Sequence, residues 1–204
     1  MADITDTPGR WPVVSSEERF RGRIFSVRTD GVQMPDGAVA ARDTVVHPGA
    51  VAVLALDGQD RVLLVHQYRH PVGRLLWELP AGLRDVDGEP PLATAQRELA
   101  EETGWRAGTW QTLADCLTSP GMTSERIRIF LARDVSEIPA GERHFTAVHE
   151  EAGIELAWIP LGDAVAKVLG GDIHNQTAAV GILAAYAARE DGFADLRDPR
   201  APES

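Results

Sequence analysis

Short apolar runs broken by turn residues dominate the middle of the chain. Residues 50–56 (AVAVLAL) and 61–68 (RVLLVHQY) read as two strands joined by the hairpin signal Asp57-Gly58-Gln59-Asp60. Residues 75–80 (LLWELP) give a short strand entering Ala81-Gly82, and residues 110–117, 127–132 and 156–159 give three more, with Ser119-Pro120-Gly121-Met122 as a loop. Residues 163–169 suit a short helix ended by Gly170-Gly171, and residues 176–190 an Ala-rich closing helix with Asn175 as N-cap. Strands mixed with helices predict an α/β fold, an α/β/α sandwich with a mixed sheet. Ahead of it, Phe20, Ile24, Phe25 and Val27, then Val32 and Met34, the turn Pro35-Asp36-Gly37, and Val39, Thr44, Val45 and Val46 read as a small N-terminal antiparallel β-sheet unit. Three such strands bury too little to stand alone. The division is therefore residues 1–46 and 47–204, with 191–204 a flexible tail.

A different period runs through residues 92–103. Leu92, Ala95, Leu99 and Thr103 recur at three- and four-residue intervals, the apolar stripe of a helix. Pro90-Pro91 suits its start and Gly104 its left-handed end. The other face is acidic: Glu98, Glu101 and Glu102 share one turn near the negative end of the helix dipole. Each carboxylate is disfavoured there by roughly 0.3–1 kcal/mol, and the Glu98/Glu102 pair adds a few tenths. Either this face is simply solvated, or the oxygens serve a hard divalent cation, Mg²⁺ or Mn²⁺, with Arg97 orienting one of them.

Composition narrows the partners. A net charge of −11 over 204 residues disfavours nucleic acid and anionic membrane, both of which need clustered Lys and Arg. The longest apolar run, residues 178–188, is too short to span a bilayer. One cysteine, Cys116, excludes an intrachain disulfide, and no secretory leader is recognisable at Met1, so a cytoplasmic protein is expected. There is no P-loop, GxGxxG or nucleophile elbow. Arg69, at the end of a strand, is a surface charge or a substrate clamp, and Arg42 reads similarly. Glu78 lies on an otherwise apolar strand, where a ribose contact or an arginine partner would offset its burial.

Gly82, Glu89, Arg97, Glu98, Leu99, Glu101, Glu102, Gly104 and Trp105 together resemble the signature of the Nudix hydrolases. One departure is the loop between Gly82 and Glu89, six residues instead of the family's five. Pro120, fifteen residues beyond Trp105, is placed as in the ADP-ribose pyrophosphatase type. The resemblance implies a Mg²⁺-dependent hydrolase splitting the pyrophosphate of ADP-ribose into AMP and ribose 5-phosphate. It gives Glu98, Glu101, Glu102 and the Ala81 carbonyl as metal ligands, and Arg42, Arg69, Glu78 and Gly82 as substrate contacts. A glutamate from a late loop is the base, which here falls on Glu151, with Glu150 beside it as the alternative. The N-terminal sheet would make a homodimer in which Arg42 reaches the partner's site. Two other outcomes are another nucleotide sugar such as GDP-mannose, and a non-catalytic ADP-ribose sensor. The intact Arg97–Glu102 cluster argues against the sensor.

Overall fold

The computed structural model describes residues 4–143 and 154–203. The chain divides into two compact units, residues 1–48 with 119–125 and residues 49–118 with 126–204.

In the first unit β1 (Val13–Arg21), β2 (Ser26–Gln33) and β3 (Val39–Val46) form an antiparallel sheet in that order. The turn at Pro35-Asp36-Gly37 closes as its residues dictate. Asp36 accepts from the Ala38 N–H at 3.0 Å, and Gly37 takes φ 86°, a left-handed conformation that suits glycine. The loop after Pro120 joins this unit: Val45 N–H donates to Met122 at 2.8 Å, and Ser124 N–H to Val45 at 3.0 Å. Every residue of β1 is exposed, and Trp11, Val13, Val14, Phe20, Ile24 and Val39 are each more than half exposed.

The second unit holds two sheets. β4 (Ala50–Ala55) is central, parallel to β9 (Arg126–Glu137) and antiparallel to β7 (Ala81–Leu83), while β8 (Trp105–Leu117) lies antiparallel outside β9. This is the mixed sheet. The other contains β10 (Glu155–Pro160), β5 (Arg61–Arg69) and β6 (Arg74–Glu78), all antiparallel. Strands β8 and β9 run further than their apolar runs predict. Trp105 and Ala107 turn inward while Arg106 and Gly108 face out, and that alternation extends the ladder.

Strand period separates the core into two clusters. Ala52, Leu54, Val62, Leu64, Ile129 and Leu131 face α2 (Leu161–Gly170) and α3 (Gln176–Ala188). Val51, Val53, Ala55, Leu63, Phe130 and Ala132 face Ala95 and Leu99 of α1 (Pro91–Thr103). Burial on both faces is why these strands read as continuous apolar runs. Helices on opposite faces of the sheets give the expected α/β/α sandwich.

The tail is a correction. Residues 193–203 are strapped to the second unit by their own hydrogen bonds instead of hanging loose. Phe193 is buried, and its carbonyl accepts from Gln111 Nε2 at 2.8 Å. Thr112 donates through its N–H to Arg197 O and through Oγ1 to Asp198 O, both at 3.0 Å. Arg128 donates to the carbonyls of Ala201 at 2.6 Å and Pro202 at 3.2 Å. Thr112 and Arg128 are both buried and need acceptors, which the tail's backbone supplies.

Candidate active site

Helix α1 presents its acidic face to β7. Pro90 precedes it in extended conformation, Pro91 opens its first turn, and Gly104 ends it at φ 72°, donating to Ala100 O at 2.8 Å. Ala95, Leu99 and Thr103 are buried as the stripe predicts, with Thr94 beside them and Leu92 partly buried. Burying that stripe fixes where the carboxylates go. Glu102 Oε2 accepts from the Ala81 N–H at 2.9 Å. Glu98 lies over Gly82 so closely that a Cβ there would be 2.0 Å from its Cδ and 2.3 Å from its Oε1. Gly82 is therefore a requirement of close approach.

Arg97 serves three carboxylates instead of the one expected. Its Nη1 donates to Glu98 at 2.7 Å and Glu101 at 3.2 Å, and its Nη2 to Glu89 at 3.2 Å. Glu89 also accepts from Thr94 Oγ1 at 2.8 Å. Glu89 thus belongs to the site, although sequence reasoning assigned it no role; its place in the signature was the signal.

Residues 46–178 match the family model described as the NUDIX domain. The chain belongs to the Nudix family. Residues 11–45 match a second model, the nucleoside diphosphate sugar hydrolase N-terminal domain. The chain is 47% identical over 184 residues to the ADP-ribose pyrophosphatase of Mycobacterium tuberculosis (strain ATCC 25618 / H37Rv), covering 90% of this chain and 86% of that protein. It is 33% identical over 169 residues to the ADP-ribose pyrophosphatase of Bacillus subtilis (strain 168), covering 83% and 89%. Among solved structures, one described as an ADP compounds hydrolase superposes with a TM-score of 0.72 over 92% of this chain and 99% of that one, at 19% identity, a likeness of fold.

The electrostatics of this Nudix site are uneven. Burial pushes the Glu98 carboxyl up, and the neighbouring charges of Glu101 and Asp85 add to it, against the pull of Arg97. The hydrogen bonds from Arg97 and then Thr94 hold Glu89 below the usual range. Arg97 is raised in turn, first by its hydrogen bond to Glu89. Among the described residues no three acidic, histidine or cysteine side chains are gathered to hold a metal ion. The donors nonetheless fit one chemically. Hard oxygens one turn apart, one of them driven up by burial and like charge, suit a hard divalent cation.

The remaining assignments divide. Arg69 and Glu78 come together, Nη2 to Oε2 at 2.6 Å and Nε to Oε1 at 3.1 Å, with the Glu78 side chain buried. Of the two roles open to Glu78, the arginine partner is the one present. Arg42 lies on β3 in the other unit, exposed, donating to Ala41 O at 2.9 Å. Glu150 and Glu151 lie outside the described residues. Cys116 is on β8, with its thiol pushed up by burial first and by Asp115 second.

Proposed function

We propose that this Nudix enzyme hydrolyses the pyrophosphate bond of ADP-ribose, releasing AMP and ribose 5-phosphate. The observation that carries the reading is the acidic helix face seated on Ala81-Gly82, in a chain 47% identical to an ADP-ribose pyrophosphatase. Glu98, Glu101, Glu102 and the Ala81 carbonyl would hold Mg²⁺, with Mn²⁺ as a substitute. When bound, the metal neutralises the pyrophosphate and activates water. Arg97 keeps the carboxylates in orientation. Glu151 takes the proton from the attacking water, with Glu150 as the alternative base. Arg69, held by the buried Glu78, contacts the substrate together with Gly82 and Arg42.

The same reading makes residues 1–46 a dimerisation unit and residues 47–204 the hydrolase domain of a cytoplasmic homodimer. The exposed apolar side chains of β1 and its neighbours support this. Among the described residues no helix is long and apolar enough to cross a membrane.

A panel of nucleotide sugars assayed with Mg²⁺, Mn²⁺ or chelator tests the activity. ADP-ribose should give the highest kcat/KM, with AMP and ribose 5-phosphate as products and no turnover in chelator. Preference for GDP-mannose, or binding of ADP-ribose without turnover, overturns it. Sedimentation tests the dimer: removing residues 1–46 should abolish activity, and a fully active soluble monomer would refute the shared site.

A further inference from the structure

A cavity of about 530 Å³ lies between the start of α1 and the C-terminal strap. Its wall carries three arginines, Arg84, Arg128 and Arg200, together with Gln96 and Glu203. In a chain of net charge −11 this is a local inversion of sign. A cleft with an excess of one sign of charge, here three arginines against one glutamate, concentrates counter-ions. The first turn of α1 strengthens the inversion, having neither a side-chain cap nor an acidic residue.

Two features go beyond charge. First, the cavity already seats an anion from its own chain: Arg84 Nη1 donates to both oxygens of Glu203 at 2.8 Å. Second, Arg84 Nε is buried and has no hydrogen-bond partner among the described residues. An arginine presents its donors as a fork matched to a two-oxygen acceptor. Glu203 engages one prong and leaves the other unsatisfied, an arrangement that a buried donor disfavours. A phosphate monoester that displaces Glu203 brings three terminal oxygens where the carboxylate brings two, and so has one more acceptor to offer the fork. Arg128 forms a fixed wall, since its guanidinium is held by Asp115 at 2.7 and 2.9 Å and by the tail carbonyls. Arg200, exposed in the same wall, supplies a second charge free of that fixed network.

We propose that this cavity is a binding site for a phosphate monoester, with Arg84 as its principal ligand and Glu203 as an exchangeable internal occupant. It is separate from the carboxylate cluster and uses none of its side chains, so it stands whether or not the proposed activity holds. The volume is within the range of small-molecule sites and accommodates a group up to mononucleotide size. The shared chemistry is the phosphate dianion, which inorganic phosphate, ribose 5-phosphate and AMP all carry.

Isothermal titration of the full-length protein in chelator, with each of these three in turn, tests the proposal and separates the sources. Chelator removes metal-dependent binding at the carboxylate cluster. One site per chain is expected. Glu203→Gln should tighten it by roughly three- to tenfold, the release of one partly exposed ion pair. Arg84→Gln should abolish it, and Glu98→Gln should leave it unchanged. If AMP binds best, the cavity takes a nucleotide; if all three bind alike, it takes phosphate alone. No heat with either the wild type or Glu203→Gln, or binding that survives Arg84→Gln in a protein of normal melting temperature, overturns the proposal.

Discussion

The Glu98 carboxyl rests on the bare Cα of Gly82, where an added Cβ would lie 2.0 Å from its Cδ. No rotation of a single carboxylate relieves so close an approach, because Glu98 Cγ would itself be at 2.4 Å. Gly82→Ala should therefore displace the metal-binding face. We expect a stability loss of about 1–3 kcal/mol from overpacking and a kcat roughly 10²-fold lower from misplacement near 1 Å. Thermal melts alongside steady-state rates check both.

Glu102→Gln separates fold from chemistry. The amide keeps an oxygen to accept from the Ala81 N–H, which donates to Glu102 Oε2 at 2.9 Å. It removes a negative charge from the last turn of α1, where the dipole disfavours it by roughly 0.3–1 kcal/mol. Turnover should vanish while the metal-free melting temperature holds or rises slightly. A clear drop in that temperature would mean the acidic face is structural.

Glu151→Gln should lower kcat by roughly 10²–10⁴ with little change in KM or Mg²⁺ affinity, because only basicity is lost. Glu98→Gln should weaken metal binding and turnover together. A near-wild-type kcat in Glu151→Gln would move the role to Glu150.

Acid stability should depend on Asp115. Burial pushes its carboxyl up, but hydrogen bonds and charge from Arg128 and Arg197 outweigh that and hold it below the ordinary carboxylate range. A folded value below the unfolded one contributes stability that is complete above the ordinary carboxylate range and lost as pH falls through the folded value. Urea unfolding from about pH 5 down to about pH 2 should show this loss in the wild type. Asp115→Asn should flatten that acid limb. Asp115→Ala should also cost about 3 kcal/mol at neutral pH, since Arg128 is buried and loses its counter-charge.

Elements set by neighbours in sequence were legible; those set by distant partners were not. The hairpin at Asp57–Asp60 declares itself, and Asp57 closes it by accepting from the N–H groups of Gln59 and Arg61. The caps of α1 are equally local. By contrast, the seating of residues 119–125 on the first unit rests on bonds such as His47 N–H to Ser124 Oγ, across 77 residues. The strap was hidden for a related reason. Its sequence is polar and Pro-rich, and what fixes it is the need of buried Arg128 and Thr112 for acceptors. Arg97 was legible as a partner of the acidic face, but its threefold reach appears only once the loop brings Glu89 back to the helix.

The parity of β4 has a consequence for how this sequence can change over time. Val51, Val53 and Ala55 belong to the cluster under α1, while Ala52 and Leu54 belong to the one under α3. A substitution at Val53 is felt by Leu99 and Phe130, and one at Leu54 by Ile182 and Ile129, although the two positions are adjacent in the chain. Energetic coupling follows contact. Replacements should therefore compensate one another chiefly within a parity class. One strand thus carries two packing problems, and a repacking under α3 should leave the seat of the metal-binding helix in place.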